Sequence, residues 1–138
     1  MRVERRCSER GIKLLYHNHN WEFQHGGLVI DRLLESKIAF CPDLGWIYKG
    51  TEHGEIVPVL EKMLDRIGAV HFKDFADHSE ETNPVALGTG SAPLEEAGIW
   101  LRKNLKEPLW IIAEQDKCDT TPAEVAHINA DFLKKIFH

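Results

Sequence analysis

The sequence predicts an α/β fold built on parallel strands, and two observations carry that prediction. Four short apolar runs of strand length recur along the chain, and segments of helical periodicity lie between them. The pattern reads helix, then strand–helix four times, an alternation that implies a parallel sheet with right-handed crossovers.

The strand runs are "IKLLY" (Ile12–Tyr16), "KIAFC" (Lys37–Cys41), "IGAVHF" (Ile67–Phe72) and "LWIIA" (Leu109–Ala113). The segment "LVIDRLLES" offers Ile30, Leu33 and Leu34 to one helix face. "EIVPVLEKMLDR" offers Ile56, Val59, Leu60, Met63 and Leu64, with Pro58 tolerable only near a first turn. "PLEEAGIWLRKNL" begins at Pro93, a residue favoured at the first helical position. The last helix has the best start signal: Thr121 as N-cap, Pro122 after it and Glu124 closing a capping box. Val125, Ile128, Phe132 and Ile136 then form its expected apolar stripe. The longest irregular stretch, from Phe75 to Ala92, is long for a loop in a compact domain, and such loops are often functional. Its "GTG" is too short and wrongly placed for a dinucleotide fingerprint.

A chain of 138 residues suffices for one domain, 1–138, with a real core. No linker divides it. The net charge of −5 argues against a nucleic-acid surface. No apolar run is long enough to span a membrane, and the charged start "MRVERRCSERG" lacks a signal core. Cys7, Cys41 and Cys118 are odd in number and far apart, which fits a reducing, cytoplasmic setting better than a disulfide framework.

Each expected strand ends in a residue able to bind a metal. These are His17 with His19, Asp43, His71 with Lys73 and Asp74, and Glu114 with Asp116. Sites of parallel α/β folds form at the carboxyl ends of strands. By strand alternation His17 shares a face with Leu15, Asp43 with Ala39, His71 with Ala69, and Glu114 with Ile112. A lone strand-end His is more often structural, and a lone Asp more often a cap, as Asp43 would be. Asp74 and Asp116 read as loop residues and Cys41 as core. Four such residues on successive strands outweigh the separate bland readings. The mixed N/O set suits one divalent ion, Mn²⁺, Zn²⁺, Co²⁺ or Fe²⁺, and Mg²⁺ less well.

The ordered pieces "YHNHNWEF", "CPDLGW", "DRIGAVHFKDF", "LGTG" and "IIAEQD" resemble the sugar phosphate isomerase/epimerase group of the xylose isomerase-like TIM barrels. The resemblance implies the C-terminal half of a (β/α)₈ barrel, with strands matching the fifth to the eighth. A full barrel takes about 250 residues. Family ligands come from the last four strands as Glu, Asp, His and Glu. Asp43, His71 and Glu114 match the last three, while His17 stands where the first glutamate is usual. That histidine version resembles the branch containing the dehydratases. Glu22 is a substitute ligand if the strand end curls back. Trp46 stands where the epimerases often carry a substrate-touching histidine, and it can stack on a sugar face. Epimerases of the family pass a proton between two metal-bound glutamates. Here Glu114 is the implied base, with His19 or Glu22 as the second group, and Lys73 a binder of a hydroxyl or oxyanion.

The resemblance thus implies a sugar isomerase or epimerase acting next to the carbonyl of a sugar or polyol-derived ketose, or an inosose-dehydratase-like lyase. The rival class is a non-catalytic half-barrel. An AP endonuclease of the same superfamily needs a basic DNA-binding face, which the acidic charge disfavours. Half a barrel leaves open edges, so a homodimer closing it is expected.

Overall fold

The computed structural model describes residues 2–79, 81, 83–105 and 109–138. In chain order the elements are α1 (Arg2–Ser8), β1 (Leu15–His17), α2 (Gln24–Glu35), β2 (Ala39–Cys41), α3 (Leu44–Gly50), α4 (Val57–Met63), β3 (Ala69–Phe72), β4 (Asp74–Phe75), β5 (Pro84–Val85), α5 (Leu94–Asn104), β6 (Trp110–Ala113) and α6 (Pro122–Phe137). Each apolar run overlaps a strand shorter than itself, and β1 extends one residue past its run, to His17. Ile12, expected in the first, lies outside β1 and is exposed.

The strands pair in parallel: β1 with β2, and β3 with β6. Isolated parallel bridges, Phe40 to Ile67 and Asp43 to His71, join β2 to β3. Alternation sorts the side chains. Phe40, Val70 and Phe72 face the helices and are fully buried; Val70 and Phe72 share a core with Leu44, Ile47, Leu60, Leu94 and Leu101, and Phe40 a second one with Ile30, Ile38 and Met63. On the other face Ala69 is buried, Leu15 and Ala39 are half-buried, and Trp110 and Ile112 are exposed at 78% and 36%.

Three elements differ from the sequence reading. Helix α3 follows β2 directly and was not anticipated. Its start hides inside "CPDLGW", where Asp43 caps it by accepting the Trp46 N–H at 2.9 Å. Gly45 within it packs so closely on the backbone just after β3 that an added Cβ would sit 2.6 Å from the Lys73 carbonyl oxygen. The long stretch 75–92 is tied down by an antiparallel pairing of β4 with β5, although Glu80 and Thr82 within it lie outside the described residues. In α6 the capping box of Thr121 and Glu124 is present, but the buried stripe is Val125, Asn129 and Ile136. Ile128 is exposed, because Asn129 turns inward to accept the Leu87 N–H at 2.8 Å.

Candidate metal centre

The ends of β1, β2, β3 and β6 come together. His17, Asp43, His71 and Glu114 each offer one ligand atom, and these atoms all lie within 4.8 Å of one another. Backbone bonds set this convergence. The His71 N–H donates to the Pro42 carbonyl at 2.9 Å and the Glu114 N–H to the Phe72 carbonyl at 2.9 Å, so neighbouring strand ends stay level. Asn18, buried between the two histidines of "YHNHN", donates to the Asp43 carbonyl at 3.3 Å and accepts its N–H at 3.0 Å. That amide locks the end of β1 to the end of β2. Nothing in the sequence distinguishes it from a loop asparagine.

Within the group, His17 Nε2 lies 3.5 Å from Glu114 Oε2, and the same Glu114 oxygen contacts His71 Nδ1. Asp43 pushes the His17 imidazolium up against the opposing effect of burial. Burial alone would raise the Glu114 carboxyl, but hydrogen bonds from Lys73 and His71 outweigh it and bring it down to about 2. Cys41 is a buried thiol, pushed up to about 11 by burial first and by Asp43 and Glu114 next, and it stands outside the group of four.

Lys73 is buried beside the group. It donates to Glu114 Oε1 at 2.7 Å and Asp116 Oδ2 at 2.8 Å, and stands 3.9 Å from Asp43 Oδ2. Three carboxylates, Asp43, Glu114 and Asp116, surround one ammonium, a local excess of negative charge that suits a divalent cation. The donor set of two imidazoles and two carboxylates fits Mn²⁺, Zn²⁺, Co²⁺ or Fe²⁺. A metal would also satisfy His17 Nε2 and Asp43 Oδ2, buried atoms without a hydrogen-bond partner.

The remaining candidates divide. His19 is exposed at the mouth, its ring 5.3 Å from His17 and 5.9 Å from Trp46. Trp46 is half-buried against Phe75, with Lys73 Nζ 4.9 Å from its ring centre. Glu22 does not join the four. It is fully buried, accepting the Tyr16 hydroxyl at 2.9 Å and the His19 N–H at 2.9 Å. Tyr16 points to the opposite face of β1 from His17, so Glu22 sits behind the strand and holds the "HNHN" turn in place.

Asp74 has the loop role the sequence suggested. Its buried carboxylate accepts four backbone N–H groups, from Phe75 (2.9 Å), Gly88 (2.9 Å), Gly90 (3.0 Å) and Ala92 (3.2 Å). The amides of the "GTG" segment are therefore filled from within and are not a phosphate cradle. A Cβ on Gly90 would meet the Phe75 carbonyl oxygen at 2.2 Å, so this close wrap requires glycine.

No family model matches the chain. Its fold is similar to that of a xylose isomerase domain protein from Planctomyces limnophilus, with TM-score 0.66 and 19% identity over 98% of this chain and 50% of that one. The fold is similar to that of half a TIM barrel. A 3-keto-D-glucoside 4-epimerase from E. coli agrees at TM-score 0.67 and 15% identity, covering 96% of this chain and 49% of that one. A probable 3-DHS dehydratase from Bacillus anthracis agrees at 0.66 and 12%, covering 99% and 54%. In sequence, 72 residues are 35% identical to inosose dehydratase of Salmonella agona, over 49% of this chain and 23% of that protein. The chain thus spans about half the length of the barrels it matches and less of its curated relatives. No helix among the described residues is long and apolar enough to cross a membrane.

Proposed function

We propose that this chain is the C-terminal half, strands five to eight, of a metal-dependent barrel acting next to the carbonyl of a sugar or polyol-derived ketose. The observation that carries the reading is the convergence of four ligand atoms at four strand ends. One bound divalent ion would supply positive charge to a carbonyl oxygen and so ease loss of the neighbouring proton. His17, Asp43, His71 and Glu114 hold that ion. Glu114 stands within the four-ligand group and is held by Lys73, so its main part is as ligand. His19 stands exposed beside the ligands, its ring 5.3 Å from that of His17, where a substrate can meet it. It is the better proton carrier, with Trp46 as the wall on which a sugar face stacks. Lys73 lies within reach of the same mouth.

Isomerisation or epimerisation returns the proton to carbon. A dehydratase instead expels a neighbouring hydroxyl as water, and the stretch 35% identical to inosose dehydratase favours that second reading. A second copy, pairing its β1 with this β6, would close the barrel as a homodimer. Metal analysis followed by a panel of ketoses and inososes in deuterated solvent tests the function. Solvent deuterium in recovered substrate or product supports proton abstraction, and loss of water marks the dehydratase. A metal-loaded assembly inert to the whole panel counts for the non-catalytic half-barrel.

A further inference from the structure

Lys73 is an ammonium group only 1% exposed, a costly placement unless charged partners surround it. Its Nζ divides its strongest contacts between Glu114 Oε1 at 2.7 Å and Asp116 Oδ2 at 2.8 Å. The first contact occupies one oxygen of Glu114 and leaves Oε2 turned to His71 and His17. The second comes from the loop after β6, where Asp116 is about half exposed. Without Asp116, nothing on that side would hold Lys73 away from Asp43 Oδ2, already only 3.9 Å from Nζ.

We infer that Asp116 and Lys73 are positioning residues of the metal centre: Asp116 anchors Lys73, and Lys73 fixes Glu114 so that a single oxygen, Oε2, reaches the ion. This rests on the metal reading above. Loss of Asp116 frees Lys73 to compete with the ion for Asp43 and removes a nearby negative charge, and both effects weaken binding. Loss of the Lys73 charge has opposed effects on affinity but lets Glu114 swing to use both oxygens, which changes the coordination number. Affinity therefore reports on Asp116, and coordination geometry on Lys73.

Co²⁺ titration of the full chain, followed by its visible absorption bands, tests both. The unaltered chain should bind one equivalent. Asp116→Asn should melt as the parent does but bind Co²⁺ about tenfold more weakly. Lys73→Met should shift and weaken the visible bands, and Lys73→Arg should restore them. Parent-like affinity in Asp116→Asn together with parent-like bands in Lys73→Met overturns the inference. If Lys73→Met does not fold, the Asp116→Asn titration decides alone. An unaltered chain that takes up no Co²⁺ overturns the metal reading and this inference with it.

Discussion

Asp43 Oδ2 lies 3.4 Å from His17 Nε2, and each is buried without a hydrogen-bond partner. The other Asp43 oxygen caps α3 through the Trp46 N–H. Capping and metal ligation are thus not competing explanations for this aspartate, since each uses its own oxygen. Facing acceptor and imidazole nitrogen with nothing between them is an arrangement that a cation completes.

Metal binding should follow from these contacts. Asp43→Asn keeps a residue able to cap α3 but loses an anionic ligand, and His71→Ala removes a ligand outright. Both should fold, and both should lose affinity for Mn²⁺ or Co²⁺ by more than the 10–100-fold typical of an outer-shell change. Calorimetric titration reads this directly, and unchanged binding in the two variants would sink the site.

Glu114 and His19 should separate ligand from proton carrier. Glu114→Gln is expected to lose the metal and with it all solvent exchange into substrate. His19→Phe should keep the metal while exchange falls by about 10²–10⁴. Full exchange in His19→Phe would return the base role to Glu114.

Asp74→Ala should release the 75–92 segment. Four N–H groups lose one buried anionic acceptor, and hydrogen bonds to charged groups count for about 1.5–3 kcal/mol each without being additive. A loss on the order of 3 kcal/mol in urea unfolding is expected, with new protease cleavage inside the segment. A variant with parent-like midpoint and cleavage pattern contradicts the stapling role.

The chain should self-associate. Strands β1 and β6 each have a partner on one side in the ladders, and Trp110 and Ile112 lie exposed on the face that a full barrel encloses. Unpaired edges and apolar faces are association surfaces. Light scattering over a range of concentrations should give a mass above 15.8 kDa, with two copies the simplest closure. A folded monomer persisting at high concentration speaks against it.

The sequence by itself determined the parallel α/β plan and singled out the four candidate ligands at the strand ends. Strand runs and strand ends are local features: an apolar run ending in His17 or Glu114 reads the same whatever surrounds it. The capping box of α6 is equally local and was legible in Thr121, Pro122 and Glu124. The tertiary structure decided which polar groups share a site. Glu22 is three residues from His19 in sequence, yet the strand pleat and the Tyr16 hydroxyl draw it to the back. Asp116 reads as a loop residue until β6 sets it against Lys73, 43 positions earlier. Ile128 fits the periodic stripe, but Asn129 takes the buried position because a backbone N–H of the distant 75–92 segment needs an acceptor there. Periodicity records which residues are apolar. Hydrogen bonds between residues distant in sequence exist only once the strands have met, and they settled Asp116 and Asn129, while the pleat of β1 and the near neighbours Tyr16 and His19 settled Glu22.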